Sequence, residues 1–116
     1  MRTLKREELK RLMDRNEDIV IINVLAQDKF NEKHIPGSVN IPGNDPQFTQ
    51  RVELVAGTKD RHIVVYCGSE PCDASPKAGK KLEQAGFKNV YDYEGGIQDW
   101  QDGGLPVGSR ASKVMV

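Results

Sequence analysis

Two uninterrupted apolar runs constrain the fold more than any other feature of the chain. They are Ile19-Val20-Ile21-Ile22-Asn23-Val24 and, after His62, Ile63-Val64-Val65-Tyr66. Both are rich in β-branched residues and neither alternates apolar with polar. Each reads as a strand covered on both faces, and strands of that kind belong to parallel sheets layered with helices. The flanking segments supply the helices. Leu4, Leu9, Leu12 and Met13 fall at helical spacing behind Thr3 as N-cap, which predicts a helix over 4–15. Further helices are expected over 27–33, over 46–55 with Phe48, Val52 and Val55 inward, and from Ser75 as N-cap with Pro76 at the first helical position. That last helix runs through Ala78, Leu82 and Ala85 and stops at Gly86. Short strands are expected at 39–41 and 89–93, and Gly95-Gly96 turns the chain into a short helix over 97–101. The alternation argues an α/β domain with a mostly parallel sheet and helices on both faces. With 116 residues and neither repeat nor linker, one domain is expected over 1–107, followed by a flexible tail over 108–116.

Charge narrows the partners. Lys and Arg number 17, as do Asp and Glu, and the two signs are interleaved. A nucleic-acid surface would show a basic excess gathered on one face, so no nucleic-acid partner is expected. Residues 1–15 are charged and resemble no secretory leader, and no stretch is long and apolar enough for a membrane. A cytoplasmic protein without a membrane partner is the expectation. In that compartment the two cysteines, Cys67 and Cys72, read as reactive rather than structural.

Cys67 directly follows the second apolar run, and Gly68 to Ala74 form a loop without apolar period before the next helix. Ligands of open α/β sheets bind beyond the carboxyl ends of the strands. Loop amides and a helix N-terminus there would favour an anionic sulfur, either a thiolate or a persulfide. The competing reading is a buried structural cysteine. Cys72 reads either as a resolving thiol or as a small packing residue. A zinc site from His34, His62, Cys67 and Cys72 is disfavoured because His62 and Cys67 mark opposite ends of one strand. Phosphoryl transfer would want an arginine five residues beyond Cys67's neighbour, and that position holds Asp73, with Glu70 nearby. His34 is expected to organise its turn and Trp100 to pack in the core. Asp99 and Asp102 should face solvent, and Ser69 or Ser75 could donate to the sulfur.

Three segments together resemble the rhodanese-like domain family: Lys33-His34-Ile35-Pro36-Gly37-Ser38-Val39-Asn40-Ile41-Pro42; Val64-Val65-Tyr66-Cys67 with the helix to Gly86-Phe87; and Asn89 to Trp100 with its Glu94-Gly95-Gly96. The resemblance spans roughly residues 3 to 107 and implies a parallel five-stranded sheet flanked by helices. It also implies a sulfurtransferase whose catalytic Cys67 carries sulfane sulfur as a persulfide, bound by the loop Gly68, Ser69, Glu70, Pro71, Cys72, Asp73 and Ala74. Donor and acceptor would be a sulfur donor and a thiol or protein; neither cofactor nor metal is implied. The family's Asp-Val-Arg is replaced by Asn23-Val24-Leu25, and the loop is longer, acidic and holds a second cysteine. One carboxylate roughly 6 Å away disfavours an incoming anion by about 3 kcal/mol at an effective dielectric constant near 20. Weak thiosulfate–cyanide activity is therefore expected. A thiol redox module using Cys67 and Cys72, and a non-catalytic binding or regulatory module, are the alternatives.

Overall fold

The computed structural model describes residues 1–15, 18–69 and 71–110. Both apolar runs are interior strands. β2 (Ile19–Asn23) and β4 (His62–Tyr66) lie side by side, paired from Ile19 with His62 to Asn23 with Tyr66. β5 (Asn89–Tyr93) flanks β4, β3 (Val39–Asn40) flanks β2, and β1 (Arg2–Leu4) closes the far edge. The order is β1-β5-β4-β2-β3 and every pairing is parallel. Among the described residues four helices connect the strands, α1 (Arg6–Asp14), α2 (Gln27–Glu32), α3 (Phe48–Ala56) and α4 (Ala74–Gln84), and α5 (Gly96–Asp102) follows β5.

Side chains alternate across a strand, so each apolar run feeds two cores. Val20, Ile22, Ile63, Val65, Cys67 and Val90 pack with Phe48, Val52 and Ala56 of α3 and with Ala78 and Leu82 of α4. Ile21, Val64, Tyr66 and Tyr93 face the other way, against Leu9 of α1 and Ile97 and Trp100 of α5. Val64, Val65 and Tyr66 are wholly buried, as expected for a central strand between two helical layers.

Three boundaries differ from the sequence reading. Residues 2–4 form β1, not the start of a helix. Arg2, Thr3 and Leu4 pair with Tyr91, Asp92 and Tyr93, a partnership far away in sequence that no local pattern reveals. α1 begins at Arg6 behind Lys5, whose N–H donates to Glu8 Oε1 at 2.9 Å. α4 begins at Ala74, with Asp73 at the cap position, so Ser75 lies inside the first turn. In the expected tail, Gly108 bridges His34 through two backbone hydrogen bonds, and the Arg110 N–H donates to the Asn31 carbonyl at 2.8 Å. Residues 111–116 lie outside the described residues.

Candidate active site around Cys67

β4 delivers Cys67 to the carboxyl edge of the sheet. The strand's pleat turns the side chain toward α3 and α4, where it is 1% exposed. The backbone that follows is clamped from behind by the Gly95-Gly96 turn. The N–H groups of Ile97 and Gln98 donate to the carbonyls of Cys67 and Gly68 at 3.0 and 2.9 Å. Those two amides lie in the first turn of α5 and have no partner within the helix. Gly96 has φ +66°, and a Cβ there would lie 2.5 Å from the Cys67 carbonyl oxygen and 2.8 Å from the Gly68 carbonyl carbon. The close approach that seats the loop therefore requires glycine.

Within the loop, the Cys72 N–H donates to the Ser69 carbonyl at 3.0 Å and folds the chain back over Cys67. Cys67 and Cys72 are joined as a disulfide with their Cα atoms 6.6 Å apart, inside the span that disulfides bridge. Gly68, Ser69, Cys72 and Ala74 are half-buried; Pro71 and Asp73 are exposed. Glu70 lies outside the described residues. Asp73 pairs with Lys77 at 3.0 Å, which holds its carboxyl below the usual range, and both side chains are solvent-exposed.

The polar neighbours of the Cys67 sulfur are one side-chain hydroxyl and one main-chain carbonyl. Ser75 Oγ lies 3.6 Å from Sγ and the Cys72 carbonyl 3.8 Å. Ser75 Oγ donates to Asp92 Oδ1 at 2.7 Å. Among the described residues, no main-chain amide donates to Sγ. The expected ring of amides is thus not closed on the sulfur in this disulfide form, where Sγ is turned to Cys72. Ser75 is 1% and Asp92 2% exposed. Burial raises the Asp92 carboxyl above its ordinary range, with Glu94 adding to the rise and the Ser75 hydrogen bond opposing it.

The sequence offers Ser75 both as a cap and as a neighbour of the sulfur, and the structure sets it beside the sulfur rather than at the cap; for Asp92 the sequence reading gives no role. The signal for Asp92 was present. Val90 and Asp92 are two apart in a strand, so they share a face, and that face is the core. A carboxylate at such a position stays only with a partner. The absent family residues also find their explanation. Asn23 is buried, and its Oδ1 accepts from the Leu25 N–H at 3.0 Å and from Asn40 Nδ2 at 3.3 Å. Leu25 packs against the α3–α4 core instead of carrying a charge. A cleft of about 380 Å³, lined by Leu25, Gly43, Asn44, Asp73, Ala74 and Lys77 among others, opens beside the loop.

The remaining candidates fall elsewhere. His34 stacks on Phe30, and its Nδ1 lies 2.8 Å from the Phe30 carbonyl, so it organises the turn as expected. His62 pairs with the Tyr91 hydroxyl at the far end of β4. Trp100 is buried and donates to the Pro106 carbonyl at 2.8 Å. Asp99 corrects its expectation of facing solvent freely. It accepts from Arg6 Nη1 at 3.0 Å and from the Tyr93 hydroxyl, tying α1, β5 and α5 together. Among the described residues, no cluster of His, Cys, Asp or Glu is arranged to hold a metal ion, and no helix is long and apolar enough to cross a membrane.

The same architecture occurs in solved proteins. A thiosulfate sulfurtransferase from Pseudomonas aeruginosa superposes on 97% of the chain with a TM-score of 0.85 at 23% identity, using 21% of its own length. The rhodanese-like domain of the Alr3790 protein from Anabaena sp. covers all of the chain, and 87% of that domain, with a TM-score of 0.81 at 23% identity. At such identities the likeness is one of fold. By sequence, the tRNA uridine(34) hydroxylase of Photorhabdus laumondii is 31% identical over 90% of the chain. The chain spans only 30% of that relative's length. The family model described as the rhodanese-like domain matches residues 5–103, from the start of α1 through the clamp behind Cys67. The strand that delivers Cys67, the loop over it and the Gly-Gly clamp all lie within that match, and the chain belongs to the rhodanese-like domain family.

Proposed function

We propose that the chain is a sulfurtransferase domain that takes sulfane sulfur onto Cys67 and passes it to a thiol or protein acceptor. The observation that carries this reading is the joining of Cys67 to a second sulfur at the carboxyl edge of the sheet. A persulfide on Cys67 would likewise carry a second sulfur bonded to Sγ, in the loop that now holds Cys72. In the loading step, the Cys67 thiolate attacks the outer sulfur of a donor R–S–SH. The new bond gives Cys67–S–SH and R–S⁻ leaves. In the unloading step an acceptor thiolate R′–S⁻ takes that outer sulfur and Cys67–S⁻ departs. Both steps are thiol–disulfide exchange in form.

The polar surroundings favour a thiol or protein donor over thiosulfate. Leu25 stands where the family has an arginine, and Lys77 is engaged by Asp73. The activity and RNA partner named for the tRNA uridine(34) hydroxylases belong to proteins of which this chain matches a minority. The balanced charge, 17 basic against 17 acidic residues, speaks against an RNA footprint here.

The same pairing supports a second reading, in which Cys72 resolves the persulfide. Its thiolate would attack the inner sulfur of Cys67–S–SH, forming the disulfide and releasing HS⁻, and an external thiol reductant would reset the pair. Mass spectrometry of the reduced chain treated with a persulfide donor separates the readings. Wild type should gain one sulfur and Cys67→Ser none. A Cys72→Ser chain that keeps its added sulfur while wild type loses it and closes the disulfide would assign Cys72 the resolving role. No gain with persulfide donors or thiosulfate would defeat the sulfur-carrier reading.

A further inference from the structure

The sulfur-carrier reading leaves one buried ionisable group without a task. Asp92 sits on β5, 2% exposed, and its hydrogen-bonding partner among the described residues is Ser75, itself 1% exposed. Ser75 in turn is the side chain that reaches the Cys67 sulfur, at 3.6 Å. A carboxylate, a hydroxyl and a thiol therefore stand in line: Oδ1 to Oγ at 2.7 Å, and Oγ to Sγ at 3.6 Å. A serine hydroxyl both donates and accepts, so such a line can run in either direction.

We propose that Asp92 is a positioning residue that holds the proton Cys67 gives up, so that the two groups share one proton through Ser75. In one arrangement the Cys67 S–H donates to Ser75 Oγ and the Ser75 O–H donates to the Asp92 carboxylate. In the other, Ser75 has taken the thiol proton and passed its own to Asp92, whose carboxylic O–H then donates to Ser75 while Ser75 donates to the sulfur anion. No proton leaves the protein and the site carries one negative charge throughout. This rests on the sulfur-carrier reading for its purpose: a persulfide on Cys67 is also an anion, and the reversed line would hold it.

The surroundings keep the shared charge local. Glu94, next along the strand direction, adds repulsion that favours a protonated Asp92. On β4 the paired residue is Val65 and on β1 it is Thr3, neither charged. From α4, Asp73 and Lys77 neutralise each other at the surface. The N-terminal ammonium of Met1 pairs with Glu83. Burial raises the Asp92 carboxyl above its ordinary value, and the contacts through Ser75 at 2.7 and 3.6 Å are what couple it to the thiol.

The test is the rate of Cys67 alkylation in the reduced full chain, resolved by mass spectrometry, over about pH 5 to 9. A lone thiol reacts tenfold faster with each pH unit below its pKa. A shared proton instead fixes the thiolate fraction once the pair has lost its first proton, so wild type should show a plateau between the two titration steps of the pair. Asp92→Asn should lose the plateau and climb without interruption. Ser75→Ala should lower the plateau about tenfold, and Ser75→Thr should restore it. A wild-type profile that climbs like that of Asp92→Asn overturns the proposal. If Asp92→Asn does not fold, the two Ser75 variants decide, and equal profiles overturn it. A plateau in a chain that accepts no sulfur would leave the shared proton standing and remove the sulfur-carrier reading. Sulfur uptake without a plateau would do the reverse.

Discussion

Gly96→Ala tests whether the α5 clamp seats the loop. At φ +66° any side chain is strained, by about 1–2 kcal/mol. The added Cβ would also lie 2.5 Å from the Cys67 oxygen, 2.8 Å from the Gly68 carbonyl carbon and 2.9 Å from the Ser69 nitrogen. All three are backbone atoms, so no side chain can swing aside, and the loop or α5 must move. The hydrogen bonds at stake are Ile97 N–H to Cys67 and Gln98 N–H to Gly68, each worth about 1 kcal/mol. Strain and lost bonds together come to about 3–4 kcal/mol, a large part of the stability of a domain this size. Urea unfolding should show a midpoint lower by roughly 1–4 M at ordinary slopes for small domains. Gly104→Ala is the control, since Gly104 has φ +75° but nothing within 4 Å of the added Cβ. It should lose only the strain. Gly96→Ala should also change the alkylation rate of Cys67 in the folded protein, and Gly104→Ala should not. Equal losses in the two variants, with Cys67 equally reactive, would refute the clamp.

Other outcomes follow from burial and charge. Burial raises the phenol of Tyr93 above its ordinary 10, and its bond to Asp99 raises it further. The unfolded chain then releases that proton first, so stability is full below pH 10 and falls as pH rises above it; alkaline urea titrations of Tyr93→Phe should show a shallower fall. Asp92 is raised as well, so its contribution is full below the ordinary carboxyl range and is lost as pH climbs through the raised value. Asp92→Asn should accordingly raise the urea midpoint at pH 7 relative to wild type and lose that advantage in acid; a lower midpoint at pH 7 would contradict the burial argument. Leu82→Ala, in a wholly buried site on α4, should lower stability by about 2–5 kcal/mol in chemical denaturation while folded protein keeps wild-type Cys67 alkylation.

What the sequence discloses follows from the range of the forces involved. β2 and β4 were legible because β-branched residues at consecutive positions have few ways to be buried. The turn at Gly37, with φ +88°, and the stop at Gly86, with φ +97°, were legible because those glycines are set by their own backbone angles. β1 was not legible: Arg2-Thr3-Leu4 is short and becomes a strand only through Tyr91, Asp92 and Tyr93. Ser75-Pro76 offered a plausible cap, but the helix starts two residues earlier, which points the hydroxyl inward to Asp92 instead of back to the helix amides. Cys67 was found as the end of a buried strand. Its line to Asp92 needed the α4–β5 packing that places positions 75 and 92 together.

The strand order also governs how the chain reaches its fold. Residue 2 pairs with residue 91, so the edge strand β1 finds its partner only after nearly all of the intervening chain exists. Closing so long a loop is entropically slow, and contacts of this separation belong late in folding. Until then β5 presents an open edge, the kind of surface on which a second chain can add a strand. Pairing of β1 (Arg2–Leu4) covers that edge, and substitutions that unpair it, such as Thr3→Pro, should show themselves as aggregation during refolding.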